Sequence, residues 1–179
     1  MDLARQGDQM ILIGLGSNRG DSVQIVNKAM DRLGEFAEGQ VRRSRLWRTS
    51  PVDCPPGSDD FINAAAAFRP LGGLTPEALL AALKKLESEF GRTVNRVRNA
   101  PRELDLDLLL FARETRNEAE FVLPHPRAVD RLFVLAPAAE VLPDAVWPAT
   151  GLTILQLLDR LDSSEQVTPL DLLLLSQQS

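Results

Sequence analysis

The stretch Arg102-Glu103-Leu104-Asp105-Leu106-Asp107-Leu108-Leu109-Leu110-Phe111 alternates acid with leucine and then turns wholly apolar. A period of two is the side-chain repeat of a β-strand. On such a strand Asp105 and Asp107 share one face, roughly 7 Å apart at Cα, while Leu104, Leu106 and Leu108 face the other way. The apolar end reads as a strand that becomes fully buried. Two neighbouring carboxylates repel unless a cation sits between them. A hard ion such as Mg²⁺ suits the pair, because it takes a few carboxylate oxygens and keeps its other positions for water and phosphate. The plainer alternative is a half-exposed strand with a merely acidic outer face.

Upstream, residues 92–102 carry four arginines and no acid, in a chain whose net charge is −5. A run of charge can simply be a solvated face. Beside a carboxylate pair it reads as a phosphate clamp, since each guanidinium presents a planar fork of donors. Before it, Thr75-Pro76-Glu77 starts a helix with a capping hydroxyl, a proline at the first position and an acid favoured by the dipole. Leu79, Leu83, Leu86 and Phe90 give its buried stripe, and Gly91 ends it. Phe61-Ile62-Asn63-Ala64-Ala65-Ala66-Ala67-Phe68 precedes that helix. Alanine favours helix, but Pro70 and Gly72-Gly73 leave little room for one, so the segment reads as a strand of small side chains beneath a packed helix.

Earlier still, residues 41–47 alternate weakly with arginines as an exposed-face strand would, and residues 49–58 form a long irregular loop of the kind that carries function. Met10-Ile11-Leu12-Ile13-Gly14-Leu15 is a buried first strand. It leads through a turn-rich loop into an amphipathic helix marked by Val23, Val26, Met30 and Leu33 and closed by Gly34. Gly14, Gly16 and Gly20 give G-x-G-x-x-x-G, which is neither the dinucleotide fingerprint nor a P-loop. The order β-α-β-β-α-β is the split βαβ arrangement: an α+β, ferredoxin-like core with an antiparallel sheet and helices on one face.

Downstream, residues 113–120 read as a turn or flap. Leu123-Pro124-His125-Pro126-Arg127 holds the only histidine between two prolines, six residues before Arg131, as a ligand contact would be held. Phe133 to Val141 is apolar, with Pro137 set to break a long helix. Thr153 and Gln156 offer a capping box for a short helix through Leu157, Leu158 and Leu161. The segment from Ser163 is low in pattern. The chain thus divides into an extension (1–9), a single domain (10–161) and a C-terminal tail (162–179).

An apolar share of 44% with 25% charged residues is the balance of a soluble globular protein. The acidic net charge gives nucleic-acid binding no support. A single cysteine, Cys54, cannot form an internal disulfide, which together with the absence of a signal-like or membrane-spanning apolar run points to the cytoplasm.

Six segments occur in the order of one family, with its spacing from Glu87 through Arg131: Gly16-Ser17-Asn18, Arg48-Thr49-Ser50-Pro51, Phe61-Ile62-Asn63-Ala64-Ala65, Glu87-Ser88-Glu89-Phe90-Gly91-Arg92, Pro101-Arg102-Glu103-Leu104-Asp105-Leu106-Asp107, and Pro124-His125-Pro126-Arg127 with Arg131 and Phe133. The chain resembles 6-hydroxymethyl-7,8-dihydropterin pyrophosphokinases. The resemblance implies transfer of diphosphate from ATP to the pterin hydroxymethyl group in folate biosynthesis. It implies that Asp105 and Asp107 hold two Mg²⁺ ions, and that Arg92 and Arg102 neutralise charge developing on the moving diphosphate and on AMP. Glu87, Arg92, Arg98, Arg102, His125 and Arg131 match ATP-binding positions. Thr49, Ser50, Val52, Asn63 and Phe133 match the pterin slot. The partners implied are small molecules alone, with no nucleic acid and no membrane, acting on a monomer. The alternatives are an inactive homologue or a ferredoxin-like ligand-binding or regulatory module.

Two departures stand out. Family members commonly have Trp-Gly where this chain has Asn99-Ala100, in the loop that closes over the substrates. Losing the tryptophan removes a stacking surface, and alanine lacks glycine's backbone freedom. Glu103 replaces a usually neutral residue and is expected to face solvent. The first departure predicts weakened substrate affinity with the chemistry intact: Asn99→Trp lowers KM for the pterin severalfold in steady-state assays at little change in kcat.

Overall fold

The computed structural model describes residues 7–51, 54–91 and 103–170 of the chain. The first strand, β1 (Ile11–Ser17), is followed by α1 (Ser22–Arg32) and a 3-10 turn (Leu33–Phe36). Asp21 caps α1 by accepting from the Gln24 amide at 3.1 Å. Two short strands follow, β2 (Ala37–Arg43) and β3 (Trp47–Thr49), and then the long β4 (Phe61–Pro70). The α2 helix (Pro76–Glu89) is capped by the Thr75 hydroxyl, and Phe90 and Gly91 close it, the glycine at φ +95°. The acidic strand β5 (Asp105–Phe111) leads into a hairpin of β6 (Arg116–Asn117) and β7 (Val122–Leu123). A 3-10 turn (Ala128–Asp130), α3 (Leu132–Val141), α4 (Ile154–Arg160) and β8 (Val167–Pro169) complete it.

The main sheet runs β5-β1-β4-β3-β8, with β2 also beside β4, and every pairing is antiparallel. Its first five strands and two helices are the ferredoxin-like core anticipated from the sequence. The second strand of that core is interrupted. Between β2 and β3 the ladder to β4 is carried by Ser44, whose amide donates to the Ala65 carbonyl at 2.9 Å and whose hydroxyl accepts from the Ala65 amide at 2.8 Å. A side chain here stands in for a backbone carbonyl.

The two helices of that core lie on one face of the sheet, as expected, and the C-terminal additions cover part of the other. Ile11, Ile13, Leu15, Ala64, Ala66, Phe68, Leu106 and Leu108 pack beneath α1 and α2. Met10, Leu12, Ala65, Ala67, Leu109 and Leu110 pack beneath α3 and α4. The alanines of β4 are small because each side carries a helix. A β-bulge adjusts β5: Leu12 faces Leu110 and Ile13 faces Leu108, so Leu109 is inserted. Leu109 and Leu110 consequently both face α3 and α4, and Phe111 returns to the first side.

Pro137 sits inside α3 rather than breaking it. Leu135, Ala136, Pro137 and Ala138 are all buried, Leu135 and Ala138 in the core beside the sheet, so packing offsets the lost hydrogen bond. The low-pattern segment after Ser163 forms β8, a three-residue strand specified by its partner β3 and not by its own periodicity. The anticipated capping box of Thr153 and Gln156 is present on α4. Among the described residues no helix is long and apolar enough to cross a membrane.

Ser44→Ala leaves the buried Ala65 amide without its acceptor. It is expected to cost about 1–3 kcal/mol, measured as a lower denaturant midpoint at unchanged slope.

Candidate active site

The second face of the sheet is covered at one end only. Met10, Leu12, Ala65, Ala67, Leu109 and Leu110 lie under the C-terminal helices, whereas Gly14, Gly16, Thr49, Phe61, Asn63, Asp105 and Asp107 line an open cleft of about 590 Å³. That volume is typical of a small-molecule site. Register explains the arrangement. Gly16 lies between Asp105 and Asn63, and Gly14 between Asp107 and Ala65. Alternation of β5 sends Leu106 and Leu108 into the core and Asp105 and Asp107 into the cleft, both carboxylates half-buried.

Glycine keeps the floor low. A Cβ on Gly16 would lie 3.0 Å from Asn63 Oδ1, and one on Gly14 would lie 3.3 Å from a Leu109 methyl. The near-fingerprint of glycines therefore marks a site after all, as a flat floor rather than a phosphate loop. Asn63, buried, donates from Nδ2 to Thr49 Oγ1 at 2.8 Å, so β4 and β3 present one joined polar edge.

Glu87 is 2% exposed on α2, and its Oε1 accepts the Leu106 amide at 2.8 Å. This pins the helix to β5 between the two aspartates. Leu80 and Lys84 line the cleft from the same helical stripe. Glu103 pairs with Arg19 at 3.4 Å and is only a quarter exposed, so it does not simply face solvent. On the far wall the His125 amide donates to the carbonyl of the bulged Leu109 at 3.1 Å. The bulge thus docks the histidine segment, and His125 Nε2 lies 4.0 Å from Asp107 Oδ1. Arg131 and Phe133 enter from the start of α3, the guanidinium carbon 4.6 Å from the ring centroid.

The structure therefore gathers Thr49, Ser50, Asn63, Glu87, Asp105, Asp107, His125, Arg131 and Phe133 around one cleft. Val52, Arg92, Arg98 and Arg102, with Asn99 and Ala100, lie outside the described residues.

The sequence model of the 7,8-dihydro-6-hydroxymethylpterin-pyrophosphokinase (HPPK) family matches residues 12–143. The chain belongs to this family. It is 36% identical over 151 residues to the 2-amino-4-hydroxy-6-hydroxymethyldihydropteridine pyrophosphokinase of Synechocystis, covering 84% of this chain and 75% of that one. It is 39% identical over 143 residues to the enzyme of the same name from Bacillus subtilis, covering 78% and 81%. In structure it is similar to Plasmodium falciparum HPPK-DHPS, wild type with pteroate, at a TM-score of 0.65 and 13% identity. It spans 84% of its own length there but only 44% of that chain. That last likeness concerns the fold.

Within this HPPK cleft several lining residues escaped the sequence reading. Gly14 is visible only within a glycine pattern that fits neither nucleotide fingerprint, whereas Gly16 belongs also to the Gly16-Ser17-Asn18 segment. Leu80 and Lys84 were legible only as an i, i+4, i+7 stripe with Glu87. Phe121 depends on where the hairpin folds back, for which no local signal exists, and Arg127 appears in the sequence only as the last residue of the Pro124-His125-Pro126-Arg127 segment.

Burial holds the His125 imidazole below its ordinary value of 6.5, the Arg127 charge pushes the same way, and Asp105 partly opposes both. The ring is therefore neutral at neutral pH. Because the chain has one histidine, ring-proton NMR reads it without assignment. The midpoint is expected below 6.5, rising in Arg127→Gln and falling further in Asp105→Asn.

Proposed function

We propose that this chain transfers the β,γ-diphosphate of ATP to the hydroxymethyl group of 6-hydroxymethyl-7,8-dihydropterin, releasing AMP and the pterin diphosphate in folate synthesis. The observation that carries the reading is the carboxylate pair of Asp105 and Asp107, set at one end of a cleft whose other end is the Asn63–Thr49 edge, in a chain of the HPPK family. The residues assigned here are those of a single domain spanning residues 10–161. The chain acts as a cytoplasmic monomer on two small molecules.

The pterin is held edge-on by Asn63, Thr49 and Ser50 with the backbone near Val52, and face-on by Phe133, a mix suited to a flat heterocycle with amide-like edges. Glycine at positions 14 and 16 lets a flat ring approach the sheet. ATP lies across Glu87, His125 and Arg131, with Arg92, Arg98 and Arg102 supplying further donors to its phosphates.

The pterin hydroxyl oxygen attacks the β-phosphorus and gives up its proton to solvent, the bond from that phosphorus to the α,β-bridging oxygen breaks, and AMP leaves with that oxygen. Phosphoryl-type transfer asks a protein for positioning and charge neutralisation. Asp105 and Asp107 supply hard oxygen donors in the pattern Mg²⁺ prefers, a carboxylate or two with substrate phosphates and water completing the shell. Two Mg²⁺ ions held there would supply charge neutralisation at the phosphates and favour ionisation of the attacking hydroxyl. Among the described residues no group of three or more His, Cys, Asp or Glu forms a metal cage, as fits ions that arrive with the nucleotide. Arg92 and Arg102 oppose the charge that builds on the moving diphosphate and on AMP.

Incubation with Mg²⁺, ATP and the pterin, followed by mass spectrometry, is expected to give AMP and the diphosphorylated pterin. ADP would indicate an ordinary kinase, and no turnover a binding module or an inactive homologue. Asp105→Asn and Asp107→Asn each remove one donor, and turnover is expected to fall by ~100-fold or more. Unchanged turnover in either variant would remove the metal-holding role.

A further inference from the structure

The C-terminal segment takes no part in the chemistry above, yet it returns to the cleft. β8 pairs with β3, the strand that delivers Thr49, and places Val167 opposite that residue. The Leu170 amide donates to the Leu46 carbonyl at 2.7 Å. Just ahead of β8, the Glu165 side chain is turned inward and is 10% exposed. Its amide donates to Ser163 Oγ at 3.1 Å, which fixes the approach.

The Glu165 carboxylate is used on both oxygens. Oε1 accepts from Arg131 Nε at 2.7 Å. Oε2 accepts the Leu132 amide at 2.7 Å and the Phe133 amide at 3.4 Å. Arg131, the residue that precedes α3, provides no side-chain cap, so a carboxylate more than thirty positions away does so (|i−j| 32 to 34). The two side chains that line the cleft at this point, Arg131 and Phe133, are thereby fixed by one group.

We propose that Glu165 is a positioning residue for the transfer reaction, acting through Arg131 on the nucleotide and through Phe133 on the pterin. The inference rests on the function proposed above. A long arginine side chain that is one-third exposed otherwise samples many rotamers, and ordering it at the moment of binding lowers affinity. Anchoring Nε removes that cost and leaves the terminal nitrogens to meet phosphate. The second oxygen holds the amides that set where the Phe133 ring lies against the guanidinium.

The test is steady-state kinetics with Mg²⁺, ATP and the hydroxymethyl dihydropterin on wild type, Glu165→Gln, Glu165→Ala, Arg131→Ala and the Glu165→Ala/Arg131→Ala double variant, with melting temperatures recorded for each. Removal of a hydrogen bond between charged groups is expected to raise KM for ATP about 10-fold in Glu165→Ala, with kcat changed far less and with a smaller effect in Glu165→Gln. In the Arg131→Ala background, replacing Glu165 is expected to leave KM for ATP unchanged. A cap that serves stability alone lowers the melting temperature in both backgrounds and leaves KM untouched, which overturns the proposal. A lowered KM, showing the carboxylate to compete with phosphate, also overturns it, as does an equal rise in both backgrounds. If Glu165→Ala does not fold, Glu165→Gln, which keeps size and one acceptor, is read by the same criteria. Wild type without turnover overturns the proposed function and this inference together, whereas wild-type turnover with unchanged variant KM overturns this inference alone.

Discussion

The Leu106 amide donates to the buried Glu87 carboxylate, while the side chains on either side of it, Asp105 and Asp107, face the opposite side of the sheet. β5 is an edge strand, and an edge carries backbone groups with no neighbouring strand to satisfy them. Glu87 meets one of these groups and ties α2 to the strand at the same point. The leucine must be buried for the helix to pack, so period-two alternation obliges the flanking carboxylates to point away from the core. The position of the acidic pair and the stability of the edge are one constraint seen from two sides. A slip of one residue in register would bury two charges.

The cleft is formed by what the C-terminal helices leave uncovered. α3 and α4 pack over one end of the second face, where Ala65, Ala67 and Leu12 offer a closely approachable apolar surface. At the other end the same face carries glycine, asparagine and aspartate. The β-bulge at Leu109 lies at the border between the two ends. It adds a leucine to the covered side and turns a carbonyl toward the His125 amide. A uniform strand would supply neither the extra packing nor that anchor, so the bulge couples the core beneath α3 to the wall of the site.

Much of this was legible because it follows from short-range periodicity. The alternation in β5, the caps of α2 and α4, and the helix stripes at Leu79, Leu83 and Leu86 each declare themselves within a few residues, and they give the βαββαβ order. The motif segments placed the cleft residues through the family resemblance. What escaped reading depends on contacts distant in sequence. Ser44 completes a ladder to Ala65 and interrupts a strand whose own pattern is continuous. Pro137 is accepted within α3 because both neighbours in sequence and the sheet beneath it are apolar, a tertiary effect that overrides propensity. β8 has three residues and no periodicity to show. Glu103 looked solvent-facing until Arg19, from the loop after β1, came within 3.4 Å of it.

The start of α3 also bears on where positive charge lies in the described part of the cleft. A helix N-terminus offers free amides and a partial positive charge, and is an anion site when it lines a pocket. Here the Leu132 and Phe133 amides are already engaged by the Glu165 carboxylate, which brings a full negative charge to that end. The helix terminus is therefore neutralised internally, and the positive charge lining the described part of the cleft comes from side chains. Arg131 is one of them, with Arg127 and Lys84 on the walls. A site built this way has its positive charge distributed over separate side chains, with a neutral imidazole and two carboxylates between them.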